Sequence, residues 1–218
     1  MSTADTAGRQ RQPLHDGWRF VADEVTDLDP AAVAGAGEPV VLPHTWNATD
    51  GQDGGNDYRR GTSTYVRTLD LEPSSGERWL EFAGVNSSAH VYFDGDVIAT
   101  HHGGYSTFRV RLPESPTGSH VLAVVVDNSP NDFVYPQRAD FTFYGGIYRD
   151  VHLLTVAPEH FALDHHGGPA LVVTPELDGD RATVALHAQV TGGTAVRFAV
   201  DGVGTVDAPV VDGAAAAQ

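Results

Sequence analysis

The sequence predicts an all-β protein built as an antiparallel sandwich, and three observations predict it. Short alternating or β-branched runs recur about every ten residues, broken by Gly, Pro and Asp clusters. No stretch competes with a helical period. Of the 29 acidic residues 21 are Asp and 8 are Glu, an excess of a turn former over a helix former.

The first set of runs comprises Trp18 to Val21, Val40 to Leu42, Thr64 to Leu71, Trp79 to Phe82, Ala89 to Phe93, Val97 to Thr100, Thr107 to Leu112, Val121 to Asp127 and Ile147 to Val156. Along Thr64 to Leu71, Tyr65 and Arg67 share one face while Val66, Thr68 and Asp70 share the other, which predicts a half-exposed strand. Phe93-Asp94-Gly95-Asp96 sets Asp-Gly between two runs, a hairpin signal because the tight primed turn needs positive φ. Val121 to Val126 is continuously apolar and reads as a central strand buried on both sides. Ala31 to Ala36 is short, contains Gly35 and reads as a loop.

Ala157-Pro158 marks a boundary, after which His160 to Leu163, Ala170 to Thr174, Ala182 to Val190 and Val196 to Val200 read as about four more strands, with Asp201-Gly202 as a turn. The chain then trails into Asp212-Gly213 and four alanines. An immunoglobulin-like sandwich takes about seven strands, so this second unit reads as incomplete.

Thirteen basic residues, all Arg, against 29 acidic ones give a net charge of −16, which repels nucleic acid and anionic lipid. A neutral partner suits that surface better. No apolar run approaches the roughly 18 residues of a spanning helix, so no membrane partner is expected. Met1 to Asp16 carries no apolar leader segment, and the expected location is cytoplasmic. Without Cys, disulfides, thiol nucleophiles and thiolate metal sites are impossible. Asp50 to Asp57 is oxygen-rich and punctuated by Gly, but Gln52, Gly54 and Gly61 break the EF-hand spacing. That leaves a turn-rich loop, or a ligand-shaping loop in which Asp53, Asn56 and Asp57 bond hydroxyls. The pairs His101-His102 and His165-His166 would point to opposite faces if extended, so no metal site is expected. Gly-x-Ser-x-Gly is absent, and Asp94 and Asp96 read as turn chemistry; no catalytic residue is assigned.

Tyr135 to Val151 is the densest unusual segment. Its rings beside Asp140 and Arg149 suit a pyranose. The plainer reading, which the residues alone favour, takes Phe141, Phe143 and Tyr148 as core, Gly145-Gly146 as a bend, and Arg149-Asp150 as an ion pair on the last strand.

Four segments now carry a resemblance. Leu42-Pro43-His44-Thr45-Trp46-Asn47, Asp50 to Gly61 with Tyr65 following, Gly84 to Gly95, and Ala139 to Val151 stand in the order and spacing of one family. The chain resembles the N-terminal sugar-binding domain of glycoside hydrolase family 2, β-galactosidase type. The resemblance implies a galactose-binding-like jelly roll over 14–156 and the start of an immunoglobulin-like β-sandwich over 158–218. It implies a retaining mechanism whose two catalytic Glu sit on a downstream (β/α)₈ barrel. A barrel takes about 250 residues, so this chain alone is expected to be inactive. The implied partners are a β-galactoside or related carbohydrate and a barrel-bearing chain or C-terminal portion. Asp140 matches the family's sugar-contacting Asp, which some members also use as a sodium ligand in the complete enzyme; no other cofactor is implied. A second family contact, an Asn before the Gly at Gly61, is missing at that spacing, and Asp57 and Asn56 stand in for it. His44, Trp46 and Asn47 match a structural brace, and Arg149 and Asp150 are also assigned to structure. The alternative is a freestanding, lectin-like carbohydrate-binding module.

Overall fold

The computed structural model describes residues 8–23, 35–50, 58–114, 117–135 and 142–218. Two antiparallel sheets form its first part. One has six strands in the order β3-β2-β4-β9-β6-β7: β2 (Trp18–Val21), β3 (Glu38–Val40), β4 (Thr62–Leu71), β6 (Ser88–Phe93), β7 (Asp96–His102) and β9 (Gly118–Asp127). The other has four in the order β1-β10-β5-β8: β1 (Arg9–Pro13), β5 (Glu77–Phe82), β8 (Phe108–Arg111) and β10 (Val151–Val156). Alternation along each strand aims one set of side chains between the sheets. Trp18, Tyr65, Leu69, Val91, Leu122, Val124 and Val126 meet Leu80, Phe82, Phe108, Val110 and Leu153 there. This is the jelly roll.

Strand β9 is buried on both faces, because Leu122, Val124 and Val126 enter that core while Val121 and Ala123 pack with Val66 and Tyr92 on the other face. The same second cluster corrects the expectation for β4. Its first half is buried on both faces, with Tyr65 and Val66 fully covered, and only from Thr68 does it alternate between exposed and buried. The Asp94-Gly95 hairpin forms as expected. Phe93 pairs with Asp96, and both turn residues take positive φ, 50° and 92°. Asp94 also caps the neighbouring strand, accepting the Val121 N–H at 2.8 Å and lying 2.6 Å from His120 Nδ1.

The second part holds β11 (His160–Phe161), β12 (Leu171–Asp178), β13 (Arg181–Thr191), β14 (Ala195–Val200), β15 (Gly204–Pro209) and β16 (Ala214–Ala217). Strand β13 pairs with β11, β12 and β16, while β14 and β15 form a separate hairpin. Six strands replace the four expected. The alanine tail is a strand: Asp212 and Gly213 turn at φ 50° and 75°, and Ala214–Ala217 then pair with Leu186–Gln189. Ala31–Ala34, within the expected loop, lie outside the described residues.

A partly buried ionic relay joins the two parts. Glu81 accepts from Arg109 at 2.6 Å and from Arg11 at 2.9 Å. The Arg109 guanidinium then donates to the carbonyls of Leu163 and Gly168. Leu163 itself packs on Trp79, Leu154 and Val156.

Candidate functional site

Described residues of three of the four segments that resembled one family meet on two buried asparagines, Asn47 and Asn128, and the Gly84–Gly95 segment joins them at one remove through Asn86. Asn47 follows the short bend Leu42–Trp46 and is fully covered. Its amide donates to Asp50 Oδ2 at 2.7 Å and to the Arg59 carbonyl at 2.8 Å, and its carbonyl accepts the Gly145 N–H at 2.7 Å. Asn128 follows β9. Its Oδ1 accepts the Gly61 N–H at 2.8 Å, and its amide donates to Phe143 O and to Asn47 Oδ1, each at 3.3 Å. A buried amide with four groups in reach of its donors and acceptor is fully used.

Aromatic packing makes the hub rigid. Trp46 stacks on Phe20 at 5.9 Å, the Arg59 guanidinium lies 5.3 Å over the Trp46 ring, and that of Arg60 lies 5.9 Å over Phe143. Gly145 and Gly146 must be glycine. A Cβ on Gly145 would run into the Trp46 ring, and one on Gly146 (φ 122°) would sit 2.5 Å from the Tyr65 hydroxyl and 2.7 Å from the His44 carbonyl. Behind them Asn86 pairs with Gly146 through two backbone hydrogen bonds and donates to the Tyr144 carbonyl at 2.8 Å.

Charge follows from these contacts. The Arg59 N–H, the Asn47 amide and the Arg59 charge hold Asp50 below its ordinary value, so it is a carboxylate at neutral pH. Burial holds His44 below its ordinary value and raises Tyr65; His44 Nδ1 and the Tyr65 hydroxyl are 2.8 Å apart. The assignment of His44, Trp46 and Asn47 as a brace therefore holds. The expected Arg149–Asp150 ion pair does not form. Arg149 donates to the carbonyls of Tyr105 and Ala83, and Asp150 lies 3.4 Å from His15 Nε2. Both precede β10 rather than lie on it, and they point to different neighbours. Phe143 is core as read, whereas Tyr148 is half-buried and donates to the Gly104 carbonyl at 2.6 Å.

Asp140, Asp57 and Asn56, the expected sugar contacts, lie outside the described residues, as do Asp53 and Phe141. The hub holds the described ends of both segments that carry them. Asp50 accepts the Arg59 N–H at 2.8 Å, closing the span between them, and Asn47 and Asn128 hold Phe143 and Gly145, which follow Asp140. Asn128 was not singled out from sequence. Its signal is its place at the end of the longest apolar run, but its partner Asn47 is 81 positions away. At the same end, Phe133 and Tyr135 are 78% and 88% exposed, and Phe133 stacks on His102 at 5.3 Å. His101 instead stacks on Phe108 at 4.1 Å, so the two adjacent rings face different neighbours.

Two antiparallel sheets packed face to face, with two buried amides joined at one end, place the chain in the class of jelly-roll β-sandwich domains. The comparisons make this particular: the model described as "Glycosyl hydrolases family 2, sugar binding domain" matches residues 36–157, and the chain belongs to that family. A β-glucuronidase of Bacteroides fragilis is 35% identical over 198 residues, 87% of this chain and 28% of that protein. A β-galactosidase of Thermoanaerobacterium thermosulfurigenes is 30% identical over 153 residues, 65% of this chain and 21% of that protein. The crystal structure of a Bacteroides uniformis β-glucuronidase superposes with a TM-score of 0.80 at 29% identity, over 96% of this chain and 28% of that one. The chain thus spans about a quarter of the length of the curated relatives it matches, 22% and 28% for two of them.

Proposed function

We propose that this chain is the non-catalytic, sugar-binding portion of a retaining family 2 β-glycosidase, whose two catalytic carboxylates lie on a (β/α)₈ barrel outside these 218 residues. The observation that carries this is the hub. Buried amides fix the ends of two segments at one edge of the sandwich, which is how a rigid scaffold presents ligand-contacting loops. Asp140 accepts hydrogen bonds from pyranose hydroxyls in this reading, with Asp57 and Asn56 as flanking contacts. The proposed substrate is a terminal β-glucuronide, because the relative of 35% identity that covers most of this chain is named a β-glucuronidase. A β-galactoside is the second reading, favoured by the Thermoanaerobacterium relative and by a net charge of −16, which suits a neutral sugar.

The test compares the isolated chain with the same chain joined to its barrel-bearing sequence, on 4-nitrophenyl β-glucuronide and β-galactoside. The isolated chain should turn over neither. The longer protein should prefer the glucuronide by at least about tenfold in kcat/KM, and Asp140→Ala should lower kcat/KM by about tenfold to a hundredfold. Robust turnover by the isolated chain would sink the reading, and a reversed preference would replace glucuronide with galactoside.

A further inference from the structure

Three residues from opposite ends of the jelly-roll sequence meet on one face of the four-stranded sheet. Strand β1 pairs with β10 so that Pro13 faces His152, and the Leu14 N–H donates to the Val151 carbonyl at 2.8 Å. One step further along this register His15 stands opposite Asp150. Asp150 and His152 are two apart in extended chain and so share a face. The result is a cluster in which imidazole nitrogens of His15 and His152 and a carboxylate oxygen of Asp150 all lie within 4.8 Å of one another.

Two features set this cluster apart from an ordinary surface group of charges. His15 Nε2 and His152 Nδ1 are shielded from solvent and form no hydrogen bond, although His15 Nε2 lies 3.4 Å from Asp150 Oδ1. Buried polar atoms without partners are uncommon in folded proteins and ask for one. The charge is also suited to a cation. Arg11, whose positive charge reaches His152, is paired at 2.9 Å with Glu81, the residue opposite His152 across the sheet, so that carboxylate offsets its charge.

We propose that His15, Asp150 and His152 form a binding site for one zinc ion, with water completing a tetrahedral shell. Two imidazoles and one carboxylate are a borderline donor set that selects zinc or a later first-row metal over calcium or magnesium, which demand oxygen. Zinc–ligand distances near 2.0–2.2 Å require the three side chains to close by roughly 1 Å each, and His15 and Asp150 sit on the partly exposed side where they can rotate. Such an ion would pin the entry of the chain, just after β1, to β10, the last strand of the sandwich.

Zinc chloride alone is the probe, with the full 218-residue chain, read by calorimetric titration and by thermal unfolding. Tight binding of one equivalent is expected, with a rise in Tm, since a ligand held only by the folded state stabilises it. His15→Gln and Asp150→Asn are the chosen variants because both side chains are partly exposed and neither is needed for packing, whereas His152 is buried. Each should weaken zinc binding at least about tenfold and shrink the Tm rise, with unfolding in the absence of metal little changed. Zinc binding of equal strength in either variant would overturn the proposal by moving the ion to other histidines. A Tm rise with calcium or magnesium but not zinc would overturn it too.

Discussion

The two parts of the molecule are both antiparallel β-structure, yet they are held together very differently. Among the described residues, the jelly roll has a main cluster of 22 buried side chains, with Trp18, Tyr65, Phe82 and Leu122 essentially inaccessible. The cluster of the second part has six, and three of those are alanine. Strand β12 is exposed along its whole length, and Leu177 at its end is 82% exposed. Sheet pairing alone does not make a core; large side chains on facing surfaces do. The first part is the more densely packed, because its aromatic and branched residues meet between two broad sheets. The second has strand pairing, that small cluster, the packing of Leu163 on Trp79, Leu154 and Val156, and the Arg109–Glu81 relay that ties Leu163 and Gly168 to the first.

The sharpest way to break this contrast is to remove one ring from each part. Phe82→Ala, in the jelly roll, should cost about 3–5 kcal/mol, because its stacked partner Phe108 at 4.8 Å and the surrounding strands cannot collapse into the void. Phe198→Ala should cost no more than about 3 kcal/mol, since the small side chains around it leave few contacts to lose. Urea unfolding checks both. Equal costs would show that the second part is as firmly packed as the first.

A smaller effect is expected at the hub. Asn47→Ala strips partners from the Gly145 N–H, the Arg59 carbonyl and Asp50 at once, and should cost about 2–3 kcal/mol. Asn47→Asp should do no better, although it is the same size, because it sets a second carboxylate beside Asp50 and removes the amide donor. An aspartate variant as stable as the native chain would mean that the hub is held by shape and not by these hydrogen bonds.

How much of this was legible in the sequence depended on range. The hairpin at Asp94-Gly95 and the double burial of Val121 to Val126 could be read because each is fixed by neighbours a few residues apart. Strand β1 was missed because Arg-Gln-Arg-Gln-Pro has no apolar alternation; it is an edge strand made by pairing with β10. Strand β16 was missed because alanines carry no strand preference, and only the turn at Asp212-Gly213 delivers them to β13. Within the candidate site, Asn47 was legible as a brace through the family resemblance. Its partner Asn128 was not, since nothing local links two asparagines from opposite sides of β4 and β9. The His15, Asp150 and His152 cluster was hidden for the same reason as β1: without that strand's register, the three residues have no cause to meet.

The smallest expected effect also separates the two parts, through pH. His44, His101 and His152 all lie in the jelly roll, and burial holds each below the ordinary histidine value of 6.5. For each of them the unfolded chain binds a proton that the folded chain refuses, so stability is full above about pH 6.5 and falls as pH drops through the lowered value. A second loss follows at lower pH. Asp50 is held below its ordinary value of 3.8 by the Arg59 N–H and Asn47. Burial alone would raise Glu81, but the hydrogen bonds and charges of Arg109 and Arg11 outweigh it and hold it below 4.5. The urea midpoint should therefore decline between pH 7.5 and 5.5 and again below pH 4.5. His44→Gln, which keeps a polar group near the Tyr65 hydroxyl but cannot take up a proton, should flatten part of the first decline. A midpoint that stays level from pH 7.5 to 5.5 would remove histidine burial from the forces that distinguish the jelly roll.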